Sequence, residues 1–253
     1  MMTNEFDDIA LNENERIDDL QCKGLRLIQN TSCFCFGMDA VLLSSFARAE
    51  AEDRVLDLGT GNGVIPILMY GKNPGIKCAG LEIQPVSAEL AKRNAKINGI
   101  SHDVDMVMGD IKDAVSIFGA GRFDVVTSNP PYMNENHGIV NHQSVKAIAR
   151  HEILCTLDDV VKAASGCLKV KGHFFMVHRP QRLVDIFEVL RKYKLEPKRM
   201  RMVQPNSKKA ANMVLIEAVK NGNSQLITEP ALCVYNEDGS YTDELLAMYG
   251  KEF

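Results

Sequence analysis

The chain has 253 residues, 45% of them hydrophobic and 25% charged, and a net charge of −4. That is enough length for a substantial core in one large domain or two small ones, with the balance of a soluble globular protein. No apolar run is long enough to span a bilayer, and the acidic start, Met1 to Leu20, lacks a signal-peptide pattern, so a cytoplasmic location is expected.

Seven cysteines are scattered through the chain, and only Cys33 and Cys35 lie close together. With no Cys-x-x-Cys pair and no Cys/His quartet, neither a metal site nor a disulfide framework is expected. The overall charge disfavours a nucleic-acid partner, but its distribution is uneven. Acids dominate Glu5 to Asp19, whereas basic residues crowd Arg179 to Lys209, a pattern compatible with a local basic face.

In chain order, the first fifty residues stand apart. Leu25–Gln29 and Phe34–Phe36 suggest a small hairpin, and Asp39 an N-cap for a helix over Ala40–Ala49. Residues 1–50 are accordingly expected to form an N-terminal extension capping the ligand edge of a domain spanning 51–253. From Arg54 onward strand and helix alternate. Val55–Leu58 reads as a buried strand followed by a helix Val64–Tyr70, and Lys77–Leu81 as the next strand. Pro85 opens a helix running through Val86–Asn98 to a stop at Gly99. Val104–Met108 and Phe123–Ser128 are further strands. Leu157–Leu168 is an amphipathic helix with Asp158 and Asp159 in its first turn. The strand His173–Val177 and the helix Gln181–Tyr193 follow. Leu195–Val203 and Met213–Val219 then form an antiparallel pair joined by the polar turn Gln204–Asn212, and Asp238-Gly239 offers one more turn. The series predicts an open α/β sheet of seven strands, Rossmann-like, with helices on both faces and an antiparallel pair at its end.

The first strand runs straight into Asp57-Leu58-Gly59-Thr60-Gly61-Asn62-Gly63. Glycines allow a sharp turn and let a ligand approach the backbone closely. The spacing is G-x-G-x-G, not the G-x-G-x-x-G of nicotinamide enzymes. Asp57 on the strand itself suits an ammonium group better than a pyrophosphate. Glu82, at the end of the second strand, can accept both hydroxyls of a ribose, and Asp110 after the third can accept from an adenine amino group. Ile83 and Ile111, directly after these acids, complete the candidate nucleoside contacts with Gly59, Gly61, Gly63 and Asn129. Three acids at successive strand ends converge where open α/β sheets bind ligands. This pattern resembles the class I S-adenosylmethionine-dependent methyltransferases over roughly Arg54 to Val219.

Asn129-Pro130-Pro131-Tyr132 follows the fourth strand. Two prolines stiffen the backbone and leave the Pro130 carbonyl free to face the site. Asn129 offers an amide oxygen, and Tyr132 a flat face for a base. A planar amine delocalises its lone pair into its ring, so it is a poor nucleophile until it moves toward tetrahedral geometry. Two out-of-plane acceptors, Asn129 and Pro130, would favour that change. The tetrapeptide resembles that of amino methyltransferases acting on adenine N6, guanine N2 or the glutamine amide of release factors.

Other segments resemble the tRNA1(Val) adenine-37 N6-methyltransferase family. They are Glu15–Leu20, Ile28-Gln29-Asn30, Phe36–Leu43, Ala149–Glu152, His178-Arg179-Pro180 and the basic turn ending Lys208-Lys209-Ala210. The resemblance implies methylation of an adenosine in a tRNA anticodon loop. It makes Phe36 a candidate second stacking aromatic, and Lys208 and Lys209 candidate tRNA contacts within a basic stretch from Lys198. Arg150, His151 and Glu152 would contact substrate or order the loop Met133–Val145. Guanine N2 and release-factor glutamine remain alternative acceptors, although the N-terminus is short for a protein-gripping domain. A noncatalytic binding module would not require the acceptor geometry of Asn129 and Pro130.

Overall fold

The computed structural model describes residues 10–31, 36–130 and 155–250. A two-stranded antiparallel hairpin, β1 (Glu15–Asp19) and β2 (Arg26–Asn30), precedes helix α1 (Met38–Phe46). The series continues with β3 (Arg54–Leu58), α2 (Val64–Lys72), β4 (Lys77–Glu82), α3 (Pro85–Ile97), β5 (Val104–Met108), α4 (Ala114–Phe118) and β6 (Phe123–Ser128). After it come α5 (Leu157–Cys167), β7 (Leu168–His178), α6 (Leu183–Lys192), β8 (Leu195–Gln204), β9 (Met213–Lys220), β10 (Ile227–Cys233) and α7 (Asp243–Met248).

One sheet takes the order β10-β8-β9-β7-β6-β3-β4-β5. The strands from β5 to β7 are parallel, β9 runs antiparallel to both β7 and β8, and β10 lies parallel to β8. The expected parallel series and terminal antiparallel pair are both present, and β10 adds an eighth strand. Strand alternation sorts the core into two layers. Val55, Val125, Phe175, Val177 and Leu215 pack under α1, α2 and α3. Their neighbours Leu56, Val126, Phe174, Met176, Val214 and Ile216 pack under α4, α5 and α6. Among the described residues no helix is long and apolar enough to cross a membrane.

The N-terminal expectations need correction. Strand β2 pairs with Glu15–Asp19, with Glu15 opposite Asn30 and Asp19 opposite Arg26, while Phe34 and Cys35 of the expected second strand lie outside the described residues. Acidic side chains do not disqualify an exposed strand whose charges find partners. The Glu15 carboxylate pairs with Arg93 of α3 at 2.7 Å, and this hydrogen bond holds the Glu15 carboxyl down at about 2. The first helix begins at Met38 behind Gly37 and ends at Phe46, three residues short of expectation. Asp39 therefore lies inside its first turn instead of capping it.

Local chemistry accounts for the other boundaries. Pro85 occupies the first turn of α3, where its missing N–H costs no hydrogen bond, and Gly99 follows the helix at φ +67°. A reciprocal capping box of Thr156 and Asp159 starts α5. Asn94, fully buried on α3, accepts the Ile28 N–H at 2.6 Å and donates to the carbonyls of Ile28 and Asn62. One side chain thus ties the hairpin to the glycine loop.

Candidate active site

Register places the site. Asp57 of β3 pairs with Thr127 of β6 and with Gly80 of β4, while Glu82 pairs with Met108 of β5. Asp57, Glu82, Asp110 and Asn129 therefore stand at or beside the carboxyl ends of four adjacent strands. This is the edge at which open α/β sheets hold ligands.

Asp57 is fully buried. Its Oδ1 accepts the Thr127 hydroxyl at 2.6 Å, while its Oδ2 and the buried Thr60 hydroxyl have no hydrogen-bond partner among the described residues. Burial pushes the carboxyl up to about 6 against the pull of Thr127, with Glu82's charge adding to the rise. A desolvated carboxylate with an unpartnered oxygen is suited to a cationic ligand. Gly59, Gly61 and Gly63 take φ of +75°, +57° and +83°, a region that favours glycine. A Cβ on Gly61 would meet open space, so that glycine serves the turn itself. At Gly63 a Cβ would come within 2.7 Å of the Met106 methyl and 3.2 Å of Ala91, so there the close helix–strand packing also excludes a side chain.

Glu82 is 5% exposed and holds the loop as well as facing it. Its Oε2 accepts the Gly61 N–H and its Oε1 the Gln84 N–H, each at 2.9 Å. A carboxylate has about four lone-pair sites, so acceptor capacity remains for a ribose. Asp110 caps the short 3-10 turn Ile111–Asp113 by accepting the Lys112 N–H at 2.9 Å. The half-buried Ile111 lies over Gly59, its methyl 3.7 Å from where a Cβ there would stand, and Ile83 is exposed on the same edge. The donor set fits a nucleoside carrying a positive charge.

Asn129 and Pro130 follow β6 directly, both half-buried. Ser128 ties this end of β6 to β3 by donating to the Leu58 carbonyl at 2.9 Å. The Asn129 amide donates from Nδ2 to Asp39 Oδ2 at 3.0 Å. Sequence reasoning missed this partner, since Asp39 next to a predicted helix start reads as a cap. Thr127 was missed too, because nothing in a strand pattern distinguishes a threonine facing a buried acid. On β7 the buried His178 accepts the Arg179 N–H, and burial lowers its imidazole to about 4, so it is neutral near pH 7. Tyr132, the loop Met133–Val145 and Arg150, His151 and Glu152 lie outside the described residues.

The substrate candidates divide. Phe36 is half-buried against the core cluster, with its N–H donating to Gln29, so much of the side chain serves packing. Lys208 and Lys209 are exposed on the turn after β8, at the same sheet edge as Asn129 because β8 runs parallel to β6. The earlier part of the basic stretch is used internally. Arg199 bonds Glu217 at 2.6 Å and Glu229 at 2.9 Å, donates to the Phe46 carbonyl, and stacks 3.8 Å from the Phe46 ring. Arg201 bonds the Pro230 carbonyl and Glu244. Of the basic stretch from Lys198, Arg199 and Arg201 are thus engaged within the fold, and the exposed Lys208 pairs with the exposed Glu237 at 2.9 Å. Strand side chains alternate in direction, and β9 and β10 flank β8 on both sides.

Comparison with known proteins shows the family and the fold. The model of the methyltransferase small domain family matches residues 37–194. A tRNA1(Val) (adenine(37)-N6)-methyltransferase of Porphyromonas gingivalis strain W83 is 31% identical over 197 residues, covering 75% of this chain and 76% of its own. A protein of the same name from Shewanella sp. strain MR-4 is 25% identical over 233 residues, covering 92% and 93%. Among solved structures, a predicted O-methyltransferase from Agrobacterium tumefaciens superposes with a TM-score of 0.69 at 18% identity, covering 84% of this chain and 95% of its own, and so shares the fold. The chain belongs to the methyltransferase small domain family and uses S-adenosylmethionine, within the group whose curated members carry the tRNA1(Val) (adenine(37)-N6)-methyltransferase name.

Proposed function

We propose that this methyltransferase transfers its methyl group to the exocyclic N6 of an adenosine in a tRNA anticodon loop, adenine 37 of tRNA1(Val). The observation that carries the reading is Asn129-Pro130 at the end of β6, one strand from the glycine loop and Asp57. The shared name of relatives matching along most of the chain supports the choice of adenine and of tRNA.

In this reading Asp57, the loop of Gly59, Gly61 and Gly63, Glu82, Ile83, Asp110 and Ile111 hold the methyl donor, which supplies a methyl already activated by a sulfonium charge. The Asn129 Oδ1 and the Pro130 carbonyl accept the two hydrogens of the target amine, drawing its nitrogen toward tetrahedral geometry so that it can take the methyl group. Bound S-adenosylmethionine would supply that methyl and be left as S-adenosylhomocysteine, and the proton of the methylated amine would pass to water. Tyr132 stacks on the base, and Lys208 and Lys209 meet the phosphate backbone. The stacked pair Tyr235 and Tyr241, rings 5.3 Å apart and 39% and 42% exposed, follows β10 at the same edge and adds aromatic surface.

Incubation with labelled S-adenosylmethionine and total tRNA, followed by nucleoside mapping, tests the proposal. Label in N6-methyladenosine of a valine tRNA is the expected result. Label in N2-methylguanosine, or in protein alone, would overturn it.

A further inference from the structure

We infer that Asp39 is a positioning residue for the transfer, orienting the Asn129 side chain so that its carbonyl oxygen faces the target amine. This role rests on Asn129 acting as the amine acceptor, whichever nucleoside is methylated. An asparagine amide has two chemically opposite ends of nearly equal size, and only the oxygen can hold an amine hydrogen. Rotation of the amide by half a turn would present N–H groups to an N–H donor. A carboxylate only accepts, so Asp39 Oδ2, 3.0 Å from Nδ2, selects the productive rotamer. Accepting from the amide nitrogen also polarises the amide, which strengthens its oxygen as an acceptor.

The carboxylate is itself held in place. Its Oδ1 accepts the Ala40 N–H at 3.0 Å within the first turn of α1, where the helix dipole favours negative charge. Gly37 leaves room for it, since a Cβ there would stand 2.9 Å from Oδ1. The helix is anchored at its far end. Phe46 meets Phe175 edge-to-face at 6.1 Å, Arg199 donates to the Phe46 carbonyl at 2.8 Å, and Ser45 donates to the Met248 carbonyl. A helix fixed on the sheet thus delivers an acid from outside the strand series onto the residue that follows β6.

The test combines kinetics with a measurement that needs no substrate. In 15N-labelled protein the Asn129 side-chain amide protons, identified by their loss in Asn129→Ala, are expected downfield and slow to exchange with water. In Asp39→Ala they move to the positions of a free asparagine. In the same variant kcat is expected to fall about 10- to 100-fold, with cofactor Kd and tRNA KM changed less than about twofold. Asp39→Asn, which keeps an acceptor oxygen, restores transfer to within about fivefold of wild type. If Asp39→Ala fails to fold, Asp39→Ser serves as the test variant, since its hydroxyl can still accept the Ala40 N–H but is too short to reach the Asn129 amide. An Asn129 amide unmoved by loss of Asp39, or an unchanged kcat, overturns the assignment. Absence of any wild-type transfer to tRNA would instead contradict the proposed substrate, and the amide resonances would then decide the role of Asp39 alone.

Discussion

The two residues asked to do most, Asn129 and Asp57, act on different partners and are separable by measurement. Asn129→Ala is expected to leave cofactor affinity within about threefold while transfer falls at least about a hundredfold, since the lost acceptor serves the amine in the transition state. Calorimetric titration beside a turnover assay checks it, and loss of cofactor binding would contradict the role. Asp57 should reveal itself through pH. Its carboxyl titrates at about 6 in the fold against an ordinary 3.8. Between those values the folded chain keeps a proton that the unfolded chain has released, so ligand-free stability falls as pH rises across that window. A cationic ligand needs the ionised form, so cofactor Kd is expected to weaken below about pH 6, approaching about tenfold per unit, and Asp57→Asn to abolish this dependence. A Kd that is flat from about pH 5 to 8 in the wild-type protein would rule out that pairing. The glycine loop and Asn129-Pro130 were legible because their chemistry is local: spacing and residue type suffice. Thr127 and Asp39 were not, because each acts across the fold on a residue 70 or 90 positions away.

At the level of elements, most strands and helices from Val55 to Val219 were readable because apolar periodicity and punctuation by Pro85, Gly99 and the Asp158-Asp159 pair coincide. The five-residue helix α4 is too short to show a period, and the first half of β7, Leu168–Gly172, carries no apolar run. Strand β10 was not readable either. Its residues are mostly exposed, Pro230 interrupts it, and its pairing with β8 is irregular between Glu229 and Leu232. Strand β1 was not readable for a related reason, since the β1–β2 hairpin is stabilised by α3 and not by its own sequence. Asn94 and Asn98 bind the backbone of β2 from that helix, and Arg93 binds Glu15. Asn94→Ala should therefore cost about 2–4 kcal/mol, because it strands the buried Ile28 N–H and carbonyl and the Asn62 carbonyl. Urea unfolding measures it, and a loss below about 1 kcal/mol would show that these groups find other partners.

Across the whole molecule, an acidic protein proposed to act on an anion has to concentrate its accessible positive charge. The uneven charge was visible in the sequence; which cations face inward was not, because that depends on strand direction and on the neighbours supplied by β9 and β10. Lys208→Ala with Lys209→Ala is expected to weaken tRNA binding about 10-fold and to flatten its salt dependence, with little change in unfolding. Arg199→Ala should do the reverse, destabilising the fold through its stranded partners Glu217 and Glu229. Equal loss of tRNA affinity in both would contradict the inward use of Arg199. The most direct test of the account is transfer of labelled methyl to an unmodified valine tRNA transcript and to the same transcript carrying guanosine at position 37. Label confined to N6-methyladenosine of the first transcript, and lost in the second, is the predicted result. Equal labelling of both, or labelling of neither, would contradict it.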